Sequence, residues 1–215
     1  MKPKFVDVHT HVQFAAYDSD YNEVITRALK EGVWLVNVGT QKDTSFKAVE
    51  LANSYKEGVY ATIGLHPIHT EKSYHDVKEL GGGEDAKAFT SRGEEFDYDY
   101  YKKLGENPKV LGIGECGLDY YRLEESSKKK QFSVFELQIR LAKELHKPLM
   151  IHCRNAFSDL IHILQDSKFQ IPNSNAPGII HFFTGNKEDA SALMELGFYF
   201  SFGGVTTFTE DYNEV

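Results

Sequence analysis

Apolar and polar positions along the chain follow two rhythms. Short, near-continuous apolar runs have the character of strands buried on both faces of a parallel sheet. Between them apolar residues recur every three or four positions, as on one face of a helix. The runs at 33–38, 59–65, 110–114, 149–152, 178–181 and 198–202 read as strands, and one at 5–11 precedes them. Helices are expected at about 20–31, 44–57, 127–146, 156–166 and after Asn186, with a short helical piece at 98–104. Local punctuation supports these bounds: Asp20, with Glu23 three residues on, caps the first helix, and Gly32 and Gly58 end the first two. Pro148 stops the long helix, in which Phe132, Phe135, Ile139, Ala142 and Leu145 form a stripe that belongs to the core.

Strands alternating with helices imply parallel β/α architecture. Seven strands are legible where a closed barrel takes eight. The expected fold is therefore α/β, a TIM-type (β/α)8 barrel with the eighth strand missing from this chain, forming a single domain over residues 1–215. Such an open barrel exposes apolar edge surface. Residues 70–100 break the rhythm. They are rich in charge, contain Gly81, Gly82 and Gly83, and read as a surface insertion.

Charge narrows the function classes. Lys and Arg number 24 against 32 Asp and Glu, a net charge of -8, which excludes a protein that coats nucleic acid through a broad basic face. An enzyme that meets phosphate through bound cations is still allowed, because the cations supply local positive charge. The only cysteines, Cys116 and Cys153, lack zinc-finger spacing, so a reducing compartment, cytoplasmic or nuclear, is expected in place of a disulfide scaffold. No apolar run is long enough for a bilayer and no signal peptide is read at the N-terminus, so no membrane partner is expected. The complete protein is expected to be a monomer.

The candidate chemistry lies at strand ends. In the first strand Asp7, His9 and His11 share one face, being two apart. Asp7 either orients a histidine or caps the strand end. His66 follows the third strand, Glu115 the fourth, and His152 and His181 end the fifth and sixth. In a β/α barrel these C-terminal ends form the rim on which active sites are built. Neutral imidazoles with a carboxylate suit Zn, Mn, Co or Fe, and a more carboxylate-rich shell suits Mg. One glutamate among histidines can bridge two cations, and two cations about 3.5–4 Å apart can activate water and clamp the leaving oxygen of a phosphodiester. Arg154 reads as a phosphate contact or a plain surface ion pair. Tyr120 and Tyr121 can stack bases or pack on the next loop. Lys128, Lys129 and Lys130 are a solvated run at a helix start, and His69, His75, His146 and His162 read as surface or helix-end residues.

Five motifs in order carry a resemblance: Asp7-Val8-His9-Thr10-His11, Gly64-Leu65-His66-Pro67, Gly112-Ile113-Gly114-Glu115-Cys116-Gly117-Leu118-Asp119-Tyr120, His152-Cys153-Arg154-Asn155-Ala156 and His181-Phe182-Phe183-Thr184-Gly185. Together they resemble the TatD-type metal-dependent deoxyribonucleases, a group within the amidohydrolase-like barrels, from residue 5 to about 205. The resemblance implies a (β/α)8 barrel, two divalent metal ions (Mg, Mn or Zn), and hydrolysis of DNA phosphodiester bonds, often as a 3′-to-5′ exonuclease with DNA as the partner. It also implies His9, His11, Glu115, His152 and His181 as metal ligands, and Glu115 and His66 as catalytic residues, with His66 near the substrate phosphate. Arg154 and Tyr120 stand as further substrate contacts.

Two departures stand out. Asn155 replaces an aspartate frequent in relatives. The metal-binding aspartate that the resemblance places at the end of a last strand has no counterpart, since Glu210, Asp211 and Glu214 do not match its motif. These 215 residues alone are therefore expected to bind metal weakly and cleave DNA poorly. Two competing readings are another amidohydrolase acting on an amide or ester, and a non-catalytic barrel that binds metal or nucleic acid. Many amidohydrolases use a bridging carboxylated lysine; no lysine stands at a strand end here, and Glu115 takes that place.

Overall fold

The apolar runs become strands of one sheet, because a run buried on both faces needs helices above and neighbours on each side. In the computed structural model, which describes residues 2–72, 74–75, 89–121, 125–166, 177–207 and 209–210, β1 spans Phe5–Thr10, β2 Val33–Val38 and β3 Val59–Ile63. After a two-stranded antiparallel pair, β4 (Tyr74–His75) and β5 (Phe89–Thr90), come β6 (Val110–Asp119), β7 (Leu149–Arg154), β8 (Gly178–Ile180) and β9 (Tyr199–Phe200). Seven of them form a single parallel sheet in the order β1-β2-β3-β6-β7-β8-β9, curled into a half-barrel. The helices are α1 (Tyr21–Lys30), α2 (Lys42–Asn53), α3 (Tyr98–Gly105), α4 (Glu125–Leu145), α5 (Phe157–Gln165) and α6 (Lys187–Glu195). Among the described residues the architecture is that of a TIM-type barrel without its eighth strand. Among the described residues no helix is long and apolar enough to cross a membrane.

The core lies between the middle strands and the helices that cover them. Ile63, Ile113, Cys116, Leu118 and Ile151 are fully buried, as are Phe135 and Ile139 of the α4 stripe. The edges differ. Phe5 and Val6 on β1 are 70% and 48% exposed, and Tyr199 of β9 is 62% exposed. No neighbouring strand covers them among the described residues.

Three local readings change. The fourth main strand does not stop at Gly114 but runs on to Asp119, so Glu115 lies within it. Gly114, read as its end, and Gly117 beyond it are places where two main chains touch. Gly114 and Gly117 have φ of 150° and 130°, and a Cβ there would meet Met150 O and His152 O. The second helix begins at Lys42, earlier than expected, because the Gln41 N–H donates to Thr44 Oγ1 at 2.9 Å. His69 is buried, not on the surface. Its Nδ1 lies 2.9 Å from Ser91 Oγ, on the returning arm of the 70–100 stretch, and the Glu94 N–H donates to its carbonyl. Gly81, Gly82 and Gly83, and the His75 side chain, lie outside the described residues. His146 and His162 are exposed at the ends of α4 and α5, as expected.

Candidate metal centre

Glu115 is the hub of the rim. Its main-chain N–H donates to Gly39 O at 2.9 Å, which fixes β6 against the loop after β2, and its side chain is 5% exposed. Three imidazoles face one carboxylate oxygen: His66 Nε2 at 3.2 Å, His152 Nδ1 at 3.2 Å and His181 Nε2 at 2.9 Å from Oε1. On the other oxygen, His9 Nε2 lies 3.4 Å from Oε2, and His11 Nε2 lies 3.1 Å from His9 Nε2. The His9 ring stacks on His181, with centroids 3.7 Å apart and planes 7° from parallel. All five histidines singled out in the sequence therefore gather on Glu115, from β1 and the loops or strands after β3, β6 and β8.

Two sets of donor atoms stand close enough to share a cation, His9–His11–Glu115 and His66–Glu115–His152, with Glu115 common to both. The first set fits a cation on its own geometry. His11 Nδ1 is 2.9 Å from Val38 O, so the neutral ring carries its proton there and turns a lone pair toward His9. His9 Nδ1 is buried with no hydrogen-bond partner among the described residues. Two imidazoles and a carboxylate thus converge on a space that a divalent cation would satisfy. In the second set the Ile68 N–H donates to His66 Nδ1 at 3.2 Å, which leaves the neutral His66 with its proton on Nε2, aimed at Glu115. In that tautomer His66 is a donor rather than a ligand.

Burial sets the protonation of the cluster. It lowers His11 to about 4, reinforced by His9, and it lowers His66 and His181 below the ordinary imidazole value. These rings are neutral, as metal ligands must be. Burial alone would raise the Glu115 carboxyl, but the facing His66 and His181 and hydrogen bonds from His152 and His181 hold it well below the usual carboxylate range. Burial would also lower His152, but hydrogen bonds to Asp119 and Glu115 outweigh it and raise the ring to about 9.

Asp119 is the residue the sequence reading passed over. It is buried at the end of β6, with its Oδ2 2.8 Å from His152 Nε2, while Oδ1 accepts the Tyr121 N–H at 2.9 Å. A carboxylate on one imidazole nitrogen leaves the other aimed at the centre, here His152 Nδ1 toward Glu115. The signal was alternation: Glu115, Gly117 and Asp119 share one face of a strand. In register, Gly117 lies opposite His152 and Asp119 opposite Arg154. Asp7, in contrast, is exposed, and its Oδ1 accepts the His9 N–H.

The outer candidates sit beside this carboxylate. Arg154 ends β7 with its guanidinium 3.6 Å from the centroid of the Tyr121 ring. The Tyr120 hydroxyl donates to Asp159 Oδ2 at 2.7 Å and Lys128 Nζ lies 4.9 Å from its ring centroid. Asn155 is exposed in the left-handed region at φ 55°. Neither Arg154 nor Tyr120 belongs to the two donor sets.

Known proteins share both sequence and shape with this chain. YabD of Bacillus subtilis strain 168, described as an uncharacterized metal-dependent hydrolase, is 38% identical over 203 residues, covering 94% of this chain and 69% of YabD. The protein named 3′-5′ ssDNA/RNA exonuclease TatD from Edwardsiella piscicida is 28% identical over 200 residues, covering 93% of this chain and 67% of its own length. The crystal structure of YjjV, a TatD homologue from Escherichia coli K12, superposes with a TM-score of 0.73 at 24% identity, over 97% of this chain and 71% of YjjV, and so shares the fold. The sequence model of the family described as TatD related DNase matches residues 6–215, and the chain belongs to that family of metal-dependent hydrolases.

Proposed function

We propose that this centre hydrolyses DNA phosphodiester bonds, trimming single strands from the 3′ end, with two divalent ions shared through Glu115. The observation that carries the reading is the convergence of five imidazoles on one ionised, buried carboxylate. In the proposed arrangement His9, His11 and Glu115 would hold one ion, and His152, His181 and Glu115 would hold the other. When bound, such ions supply a Lewis acid and a water of lowered pKa. The chain's own residues do the rest. Glu115 offsets the cationic charge that neutral imidazoles cannot. Asp119 keeps His152 turned so that Nδ1 faces the centre. His66 presents Nε2–H, a donor suited to a phosphate oxygen, and Arg154 offers a guanidinium fork for a neighbouring phosphate. A chain of net charge -8 repels a polyanion at long range. Substrate approach therefore depends on these local donors, with Tyr120 beside them as a face for a base. A cytoplasmic or nuclear setting fits the two unpaired cysteines, both buried.

A single-stranded oligonucleotide labelled at its 5′ end tests the proposal. With Mn2+ the chain is expected to shorten it slowly from the 3′ end, and EDTA or Glu115→Gln is expected to stop the reaction. Cleavage that survives both, or an Mn2+-loaded chain that leaves DNA intact while hydrolysing amide or ester substrates, would overturn it.

A further inference from the structure

The α4 stripe carries two polar residues in its buried face. Gln131 and Gln138 are 1% and 0% exposed. Seven residues apart, they lie on one side of the helix, two turns and about 10 Å along its axis. A buried amide is costly unless its donor and acceptor are both engaged. Each glutamine meets that demand on the main chain of a single residue. Gln131 Nε2 donates to Asp119 O at 2.9 Å, and its Oε1 accepts the Asp119 N–H at 2.8 Å. Gln138 Nε2 donates to Leu65 O at 3.0 Å, and its Oε1 accepts the Leu65 N–H at 2.9 Å. The two clamped residues are not arbitrary. Asp119 holds His152, and Leu65 immediately precedes His66. The second clamp depends on Gly64, where a Cβ would stand 2.7 Å from Gln138 Oε1 and 2.9 Å from the Gly114 main chain.

We infer that α4 is a two-point brace for the metal centre: Gln131 and Gln138 are positioning residues that hold the ends of β6 and β3, and through Asp119 and Leu65 set where His152 and His66 stand. β3 and β6 are neighbours in the sheet, last paired at Ile63 with Ile113; β3 ends there, two residues before Leu65, while β6 runs on to Asp119 alongside β7. Beyond that point sheet hydrogen bonds no longer tie the two chains together. One helix that grips both Leu65 and Asp119 fixes the spacing of these two stretches where β3 and β6 no longer pair with each other. The inference rests on the proposed metal-binding role of the centre.

Calorimetric titration of Mn2+ into the 215-residue chain tests it. Gln131→Met and Gln138→Met are each expected to weaken Mn2+ binding about tenfold, in the range for residues that orient ligands. Phe135→Leu, a wholly buried apolar position on α4 between the two glutamines, is the control for general destabilisation. It is expected to lower the melting temperature and leave Mn2+ affinity unchanged. Because Gln131 acts through Asp119, Gln131→Met in an Asp119→Asn background is expected to cost nothing further, whereas the Gln138→Met and Asp119→Asn losses multiply. Amide hydrogen exchange supplies a second readout: the Asp119 N–H exchanges faster in Gln131→Met alone, and the Leu65 N–H in Gln138→Met alone. Equal weakening by Phe135→Leu, multiplying losses for Gln131→Met with Asp119→Asn, or both amides loosening together would overturn the brace. A wild-type chain that binds Mn2+ while both glutamine variants bind it equally well overturns the brace only. A wild-type chain that takes up no Mn2+ overturns the metal reading and the brace with it.

Discussion

His66, Glu115 and His152 come from the walled side of the sheet, whereas His9 and His11 come from its open edge. Around the first group β3, β6 and β7 are flanked by strands on both sides and packed against α2, α4 and α5 respectively, and Ile63, Ile113 and Ile151 are wholly buried. Around the second, β1 pairs only with β2 among the described residues, its register slips between Asp7 and Thr10, and Phe5 and Val6 face solvent. The two groups share one carboxylate but not one degree of support. A ligand set is as firm as the shell behind it, so the cation held with Glu115 by His152, on the walled side, should be bound more tightly than the one held by His9 and His11 at the edge.

The largest expected effect comes from removing what the groups share. Glu115→Gln should abolish both Mn2+ binding events, a loss beyond the roughly 10–100-fold typical for an outer partner. A variant that keeps one event intact would show that the groups do not meet at this residue. Next is the stability contrast between the regions. Ile151→Ala on the walled side is expected to cost about 2–5 kcal/mol in urea unfolding. Phe5→Ala on the edge should change stability by no more than about 0.5 kcal/mol. Similar costs at the two positions would mean that the edge is covered in solution. Third, His152→Ala should remove the tighter of two Mn2+ binding steps and His9→Ala the weaker; the reverse order would break the comparison.

Legibility in the sequence follows the same division. The α4 stripe, the helix started by Asn186 and the parallel strands were readable because burial imposes a period that needs no partner to be recognised. The five histidines and Glu115 were readable because each lies in or just after an apolar run that reads as a strand. Asp119 and the glutamine clamps were not. Gly114 in the sequence reads as the end of the strand, and only the touching main chain at Met150 shows that it is a point of close approach within β6. With the strand ended too early, Asp119 fell into a supposed loop and its alignment with Glu115 disappeared. Gln131 and Gln138 look like ordinary polar helix positions until their partners, 12 and 73 residues away, are known. His69 was misplaced for the same reason, since its partner Ser91 lies across the irregular stretch.

A smaller effect concerns pH. In the metal-free chain His152 is raised to about 9 and His11 lowered to about 4, against an ordinary value of 6.5. Between 6.5 and 9 the folded chain keeps a proton on His152 that the unfolded chain has released, so stability falls as pH rises through that range. Between 6.5 and 4 the unfolded chain protonates His11 and the folded chain does not, so stability falls as pH drops. The urea midpoint of metal-free protein should therefore peak near pH 6.5. A steady rise to pH 9 would contradict the Asp119–His152 pairing. Since a ligand must shed its proton to bind, Mn2+ affinity in the walled group should gain about tenfold per pH unit up to the His152 value.

Anomalous diffraction from crystals of this chain soaked in Mn2+ tests the central claim most directly. The account predicts Mn2+ bonded to Glu115, with His152 on one side of the carboxylate and His9 and His11 on the other. Mn2+ bound only elsewhere, with Glu115 and the imidazoles still pointing at one another and no ion between them, would contradict it.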